Sequence, residues 1–114
     1  MCGLVGIASD SNCIPILLSG LQALEYRGYD SSGIASSINN RLFHKKSVGK
    51  ISHLVDKLNN KEIQGNTAIA HTRWATHGKP SLVNTHPFVK ENCAMVHNGI
   101  IENHEELINL HALN

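Results

Sequence analysis

Hydrophobic and polar positions along this chain change period several times, and each change marks an element. "CGLVGIAS" at the start is a short β-like run whose glycines let other backbone come close. "IPILLSGLQALEYRG" then puts Ile14, Leu17, Leu18, Leu21 and Leu24 on one helical stripe, with Pro15 in the first turn and Gly28 as the expected stop. "SGIASSI" and "RLFHKKSV" read as two strands around a turn at Asn39 and Asn40. A second amphipathic helix follows from Ile51, Leu54, Val55 and Leu58, closed by "NN" and a loop around Gly65. "NTAIAHT" and "NCAMVHN" are two buried-strand candidates, each closing on a histidine. The long polar loop "RWATHGKPSLVNTHPF" separates them, and loops of that kind carry function. Last, "NHEELINLHAL" opens a helix in which Asn103 and Glu106 are spaced as a capping box. That pattern is still running at Asn114, so the expectation is the front part of a larger α/β unit.

Composition narrows the classes. The 114 residues suit one modest core, 41% hydrophobic and 17% charged, with a net charge of +1. Lys and Arg are scattered, which argues against a nucleic-acid partner. "CIPILL" is too short to span a bilayer, so no membrane partner is expected either. With no basic residue before Arg27 there is no secretory or transit signature. Three cysteines without C-x-x-C spacing make no disulfide framework, and the expected setting is a reducing cytoplasm.

Eight histidines raise the question of metal. "HEELI" puts Ile108 where a zincin needs its second histidine, and His71, His77, His86 and His97 match no zinc spacing, so no metal site is expected. Cys13 and Cys93 stand beside apolar residues and are expected as small buried side chains.

Cys2 differs by position. Once Met1 is removed it carries both a thiol and a free α-amine, and an amine titrating near neutral pH can accept the thiol proton. After the strand "CAMV", "HNG" sets the Asn98 amide beside the Gly99 N–H, a pair able to hold an oxyanion, although an ordinary Asn-Gly turn has the same letters. Arg73 in "HTRW" can grip a carboxylate in two-point fashion or simply be solvated at a strand end. Nucleophile, oxyanion donors and carboxylate clamp together describe acyl transfer from a substrate with a free carboxylate.

The stretches "MCGLVGIA", "LEYRGYDSSGIA", "AIAHTRWATHGKPS", "NTHPF" and "VHNGIIENHEEL" resemble the glutaminase domain of the glutamine–fructose-6-phosphate aminotransferase family, which are class II, N-terminal-nucleophile glutamine amidotransferases. The resemblance runs from residue 1 to about residue 111 and is weakest across 38–66. "EYRGYD" and "HTRWATHG" favour this family over the amidophosphoribosyltransferases, which typically have a glutamine after "RG" and "R-Y-S" for "RWAT"; a non-catalytic module on the same fold is the other alternative.

The resemblance implies an N-terminal-nucleophile hydrolase fold, an αββα sandwich of which this α/β (α+β) chain holds only the first part. It implies that Cys2 attacks the glutamine amide, with Asn98 and the Gly99 N–H on the oxyanion. Arg73 would bind the substrate α-carboxylate, helped by Thr76 and His77 in a closing loop. His86 would support that loop and the pocket, Trp74 would help gate the ammonia path, and Arg27 and Gly28 would line the site near Cys2. The family's acidic group for the glutamine α-amine falls beyond Asn114, as do the rest of the domain and the isomerase domain. The piece alone is therefore expected to be inactive. The substrates implied are L-glutamine and fructose 6-phosphate, with no cofactor, in a cytoplasmic enzyme that forms a homodimer.

Overall fold

The computed structural model describes residues 2–27, 30–58, 64–74 and 80–112, with the Arg27 side chain left undescribed. Strand β1 (Gly3–Ala8), helix α1 (Ile14–Ala23), a 3-10 turn (Glu25–Arg27), β2 (Ser31–Ile38), β3 (Arg41–Val48), α2 (Ile51–Lys57), β4 (Thr67–Arg73), β5 (Phe88–Lys90), β6 (Cys93–Met95) and α3 (His104–Leu110) follow in order. The first four strands form one antiparallel sheet in the order β1-β4-β2-β3, and β5 and β6 form a separate hairpin.

Period-2 alternation sorts the sheet's side chains onto two faces. Val5 and Ile7 of β1, Ala68 and Ala70 of β4 and Ile34 of β2 share a face, because Val5 and Ile34 both pair with Ala70. Ile14, Leu17 and Leu21 of α1 and Ile51 and Leu54 of α2 close over that face to make the core. Each such Leu or Ile withdrawn from water contributes about 1.5–3 kcal/mol. Helix α1 lies over β1 and β4, where Ala68 and Ala70 leave it room, and α2 lies over β2 and β3. Asn12 does the capping at the start of α1: its Oδ1 accepts from Ile14 N–H at 3.3 Å and from Gly65 N–H at 3.2 Å, tying the loop before α1 to the loop before β4.

The β2–β3 turn matches its expectation. Asn39 and Asn40 have φ of 52° and 62°, the left-handed pair that a two-residue hairpin requires. Helix α1 is shorter than its apolar stripe predicts. The Leu24 N–H bonds to Leu21 O at 3.0 Å, the tighter three-residue step, and the chain continues as a 3-10 turn over 25–27. "NCAMV" is also corrected: only Cys93–Met95 is strand, its burial is partial at best, and its partner is Phe88–Lys90, from the tail of what reads as loop. Asn103 stands at the N-cap of α3 without a side-chain cap bond, so the capping box does not form.

On the second face of the sheet the segment 81–97 crosses over. Thr85 and Pro87 are fully buried there, and Lys46 of β3 lies 5.3 Å from the centre of the Phe88 ring. The described residues therefore stack as a helix layer, a four-stranded sheet and a hairpin-bearing layer. No helix among them is long and apolar enough to cross a membrane.

Candidate active site

Pairing of Gly3 with Thr72 sets the end of the chain beside the end of β4. Cys2, half-buried with a free thiol, stands just ahead of β1; Arg73 closes β4 on the neighbouring strand. Asn98 reaches the same corner from the segment after β6, where its Nδ2 donates to the Cys2 carbonyl at 3.0 Å. That bond joins residues 96 positions apart, and it uses one of the two amide hydrogens of Asn98. Gly99 follows at φ 155°, a conformation that disfavours side chains, and a Cβ there would lie 3.3 Å from the His97 ring. The Arg73 Nη1 donates to Asn84 O at 3.2 Å, which anchors the guanidinium stem to the crossing loop. Trp74, next in the chain, is 49% exposed. The register of β1 on β4 and the Asn98–Cys2 bond thus bring Cys2, Asn98 and the backbone of Arg73 to one corner of the sheet, with Gly99 next in the chain.

Beneath that corner lies a histidine cluster of which the sequence singled out only His86 for a role. His71 is fully buried on β4, and its ring stacks on His86 with centroids 4.1 Å apart and planes at 21°. His86 also packs at 4.4 Å on Phe88. Burial, followed by the nearby His86, pushes the His71 ring down to about 4, although its bond to the His97 carbonyl pulls the other way. Burial again, then the Arg73 charge, lowers His86. Both imidazoles are held neutral. The signal for His71 was present in the sequence, since each of the two strand candidates ended on a histidine.

Gly28, Thr76 and His77 lie outside the described residues, and of Arg27 only the backbone is described, in the 3-10 turn. Cys13 is buried beneath the helices as expected. Cys93 is exposed, a correction to its expected burial, because a three-residue strand in a two-stranded hairpin has little to cover it. Among the described residues no group of three or more His, Cys, Asp or Glu is arranged to hold a metal ion.

Comparison with known families settles the lineage. Residues 1–111 match the family described as glutamine amidotransferases class-II. The chain belongs to that family. Among individual members it is 56% identical over 110 residues to the glutamine–fructose-6-phosphate aminotransferase (isomerizing) of Wigglesworthia glossinidia brevipalpis, covering 94% of this chain and 18% of that protein. The same coverage holds for the enzyme of that name from Helicobacter pylori (strain J99), 56% identical over 108 residues, and from Chlamydia trachomatis serovar D, 51% identical over 109. The chain thus spans about a fifth of the length of these curated relatives. Solved amidotransferases share its fold. The glutamine phosphoribosylpyrophosphate amidotransferase of B. subtilis superposes with a TM-score of 0.81 and 27% identity over 96% of this chain and 24% of its own. A structure titled as the allosteric regulatory enzyme of purine biosynthesis gives 0.86 and 26% over 98% of this chain and 25% of its own. The mixed α/β architecture with antiparallel sheets is therefore that of amidotransferase domains with an N-terminal nucleophile.

Proposed function

We propose that this chain is the N-terminal part of the glutaminase domain of a glutamine–fructose-6-phosphate aminotransferase. The observation that carries the reading is the Asn98–Cys2 bond, which joins an amide donor to the backbone of the nucleophile in a chain 51–56% identical to enzymes of that name. Removal of Met1 bares the Cys2 α-amine, which takes up the thiol proton as sulfur adds to the side-chain amide carbon of glutamine. Asn98 and the Gly99 N–H hold the oxyanion that forms. The C–N bond breaks, ammonia leaves with the proton from the amine, and water cleaves the glutamyl thioester to glutamate and free Cys2. Arg73 binds the substrate α-carboxylate, and Thr76 and His77 close over it. Trp74, Arg27 and Gly28 border the pocket and the ammonia path.

Ammonia then converts fructose 6-phosphate to glucosamine 6-phosphate on a domain outside this chain. The working protein is a cytoplasmic homodimer with no metal or organic cofactor. Identity to the two solved purine-synthesis enzymes, 26–27%, is about half the 51–56% to the aminotransferases, which favours the hexosamine reading over the purine one.

Blocking Met1 removal in the full-length protein tests this directly. An amide nitrogen cannot accept a proton near neutral pH, so the unprocessed protein is expected to hydrolyse almost no glutamine. A glutamine-mimicking electrophile should label Cys2 only in the processed form, with the terminus checked by mass spectrometry. Equal turnover and equal labelling in both forms would remove the N-terminal amine from the mechanism.

A further inference from the structure

His97, the residue just before the oxyanion pair, is gripped on both sides of its backbone. Its N–H donates to His86 Nδ1 at 3.2 Å, and its carbonyl accepts from His71 Nε2–H at 3.1 Å. That carbonyl belongs to the planar peptide whose nitrogen is Asn98's, so fixing its oxygen fixes the plane from which the Asn98 side chain departs. The two partners reach it from well-supported positions: His71 from the middle sheet strand β4, His86 from its stack between His71 and Phe88.

The bonds also dictate the proton on each ring. A carbonyl only accepts, so Nε2 of His71 carries the hydrogen and its Nδ1 is bare. An amide N–H only donates, so Nδ1 of His86 is bare. His71 Nδ1 is buried with no hydrogen-bond partner among the described residues. Packing alone does not explain an imidazole there, because an apolar side chain would fill the space without leaving a buried acceptor unpaired.

We propose that His71 and His86 are positioning residues that clamp the His97 peptide and so aim the oxyanion donors Asn98 and Gly99. The clamp rests on the assignment of those donors in the preceding subsection. Its consequence is selective. Loss of the clamp misplaces a group that matters most in the transition state and leaves glutamine's carboxylate contacts alone, so turnover falls while ground-state binding holds.

The test uses the full-length processed protein and four variants. His71→Leu and His86→Leu remove one side of the clamp each. His71→Gln keeps an N–H at the reach of Nε2, and His86→Asn puts an acceptor where Nδ1 stood. The leucine variants are expected to lose about 10- to 100-fold in kcat for glutamine hydrolysis, the scale of an ångström misplacement, with KM held within about threefold. The aldehyde analogue of glutamine adds the Cys2 thiol across its C=O to give a tetrahedral hemithioacetal; its inhibition constant should weaken by the same factor as kcat. The Gln and Asn variants should recover most of both losses. If His71→Leu does not fold, the more accessible His86 pair answers the same question. A KM effect without a kcat effect, equal losses from leucine and its polar counterpart, or unchanged aldehyde affinity would overturn the clamp. Cys2→Ser run alongside separates the two ideas: its retained activity sinks the nucleophile assignment, whereas its inactivity with an unimpaired His71→Leu sinks the clamp alone.

Discussion

Adding one methyl group at Gly33 should impair the candidate site from the neighbouring strand on the same face of the sheet. Gly33 lies in the middle of β2, paired with His71 on β4. A Cβ built there would run into the main-chain oxygen of His86 and would stand 2.9 Å from Pro87 Cδ and 3.1 Å from His86 C. Two of these three atoms are backbone, so no rotamer change relieves the crowding. The crossing loop has to retreat by about an ångström. Overpacking of this kind costs about 1–3 kcal/mol in stability, and a displacement of that size at a catalytic group costs on the order of 10²-fold in rate. Because His86 holds the His97 amide, the displacement should be felt as lower kcat for glutamine with little change in KM. Thermal unfolding and steady-state hydrolysis of the full-length Gly33→Ala protein measure both parts. Gly20→Ala is the comparison: the same methyl within α1 meets only Val5 side-chain atoms at 3.3–3.4 Å and gains roughly 1 kcal/mol of helix propensity, so it should leave both readouts near wild type. Wild-type turnover in Gly33→Ala, or equal damage from Gly20→Ala, would refute the reasoning.

Arg73→Lys should chiefly raise KM for glutamine, since a point charge does not reproduce the planar two-point grip. Asn98→Ala should instead lower kcat by ~10²–10³-fold with KM nearly kept; the same kinetic pattern in both variants would undo the division of roles. Acidification should destabilise the fold through His71. Its folded-state value of about 4 lies below the ordinary value of 6.5, so the unfolded chain takes up the proton first. The stabilisation is complete above pH 6.5, declines as pH falls, and is gone below about 4, up to roughly 3 kcal/mol in all. Unfolding midpoints followed from pH 7.5 to 4.5 should show this slope in the wild type and a shallower one in His71→Gln; parallel slopes would count against it.

The elements that the sequence made legible are those whose pattern is written locally. The short β-like runs that became Gly3–Ala8 and Thr67–Arg73, and the paired asparagines at 39 and 40, specify strands and a turn within a few residues of themselves. Helix α1 was over-read because Leu24 continues the apolar stripe; the side chain does pack, 2.9 Å from where a Gly3 Cβ would be, but from a tightened turn and not from helix. Phe88–Lys90 was missed because a three-residue strand directly after a buried proline gives no period to count. The site divides in the same way. Cys2, Arg73, Asn98 and Gly99 stood out by residue type and neighbours, but their convergence depends on β1 finding β4 and on a bond between positions 2 and 98. The grip of His71 and His86 on a backbone peptide leaves no trace in the letters, since any residue but proline at 97 would offer the same N–H and C=O.

The strand order β1-β4-β2-β3 has a consequence in time. Among the described residues β1 pairs with β4 alone, Gly3 opposite Thr72 and Ala8 opposite Thr67, whereas β2 and β3 close on each other across a two-residue turn. On the ribosome the hairpin can form early, while the segment bearing Cys2 waits for everything out to Thr72 to be made. At about 5–20 residues per second that wait is roughly 3.5–14 s, during which the segment bearing Cys2 is unpaired and open to a processing enzyme. Strand β1 is made well before its partner β4, so an interval in which the segment bearing Cys2 stays unpaired is written into the topology of the sheet.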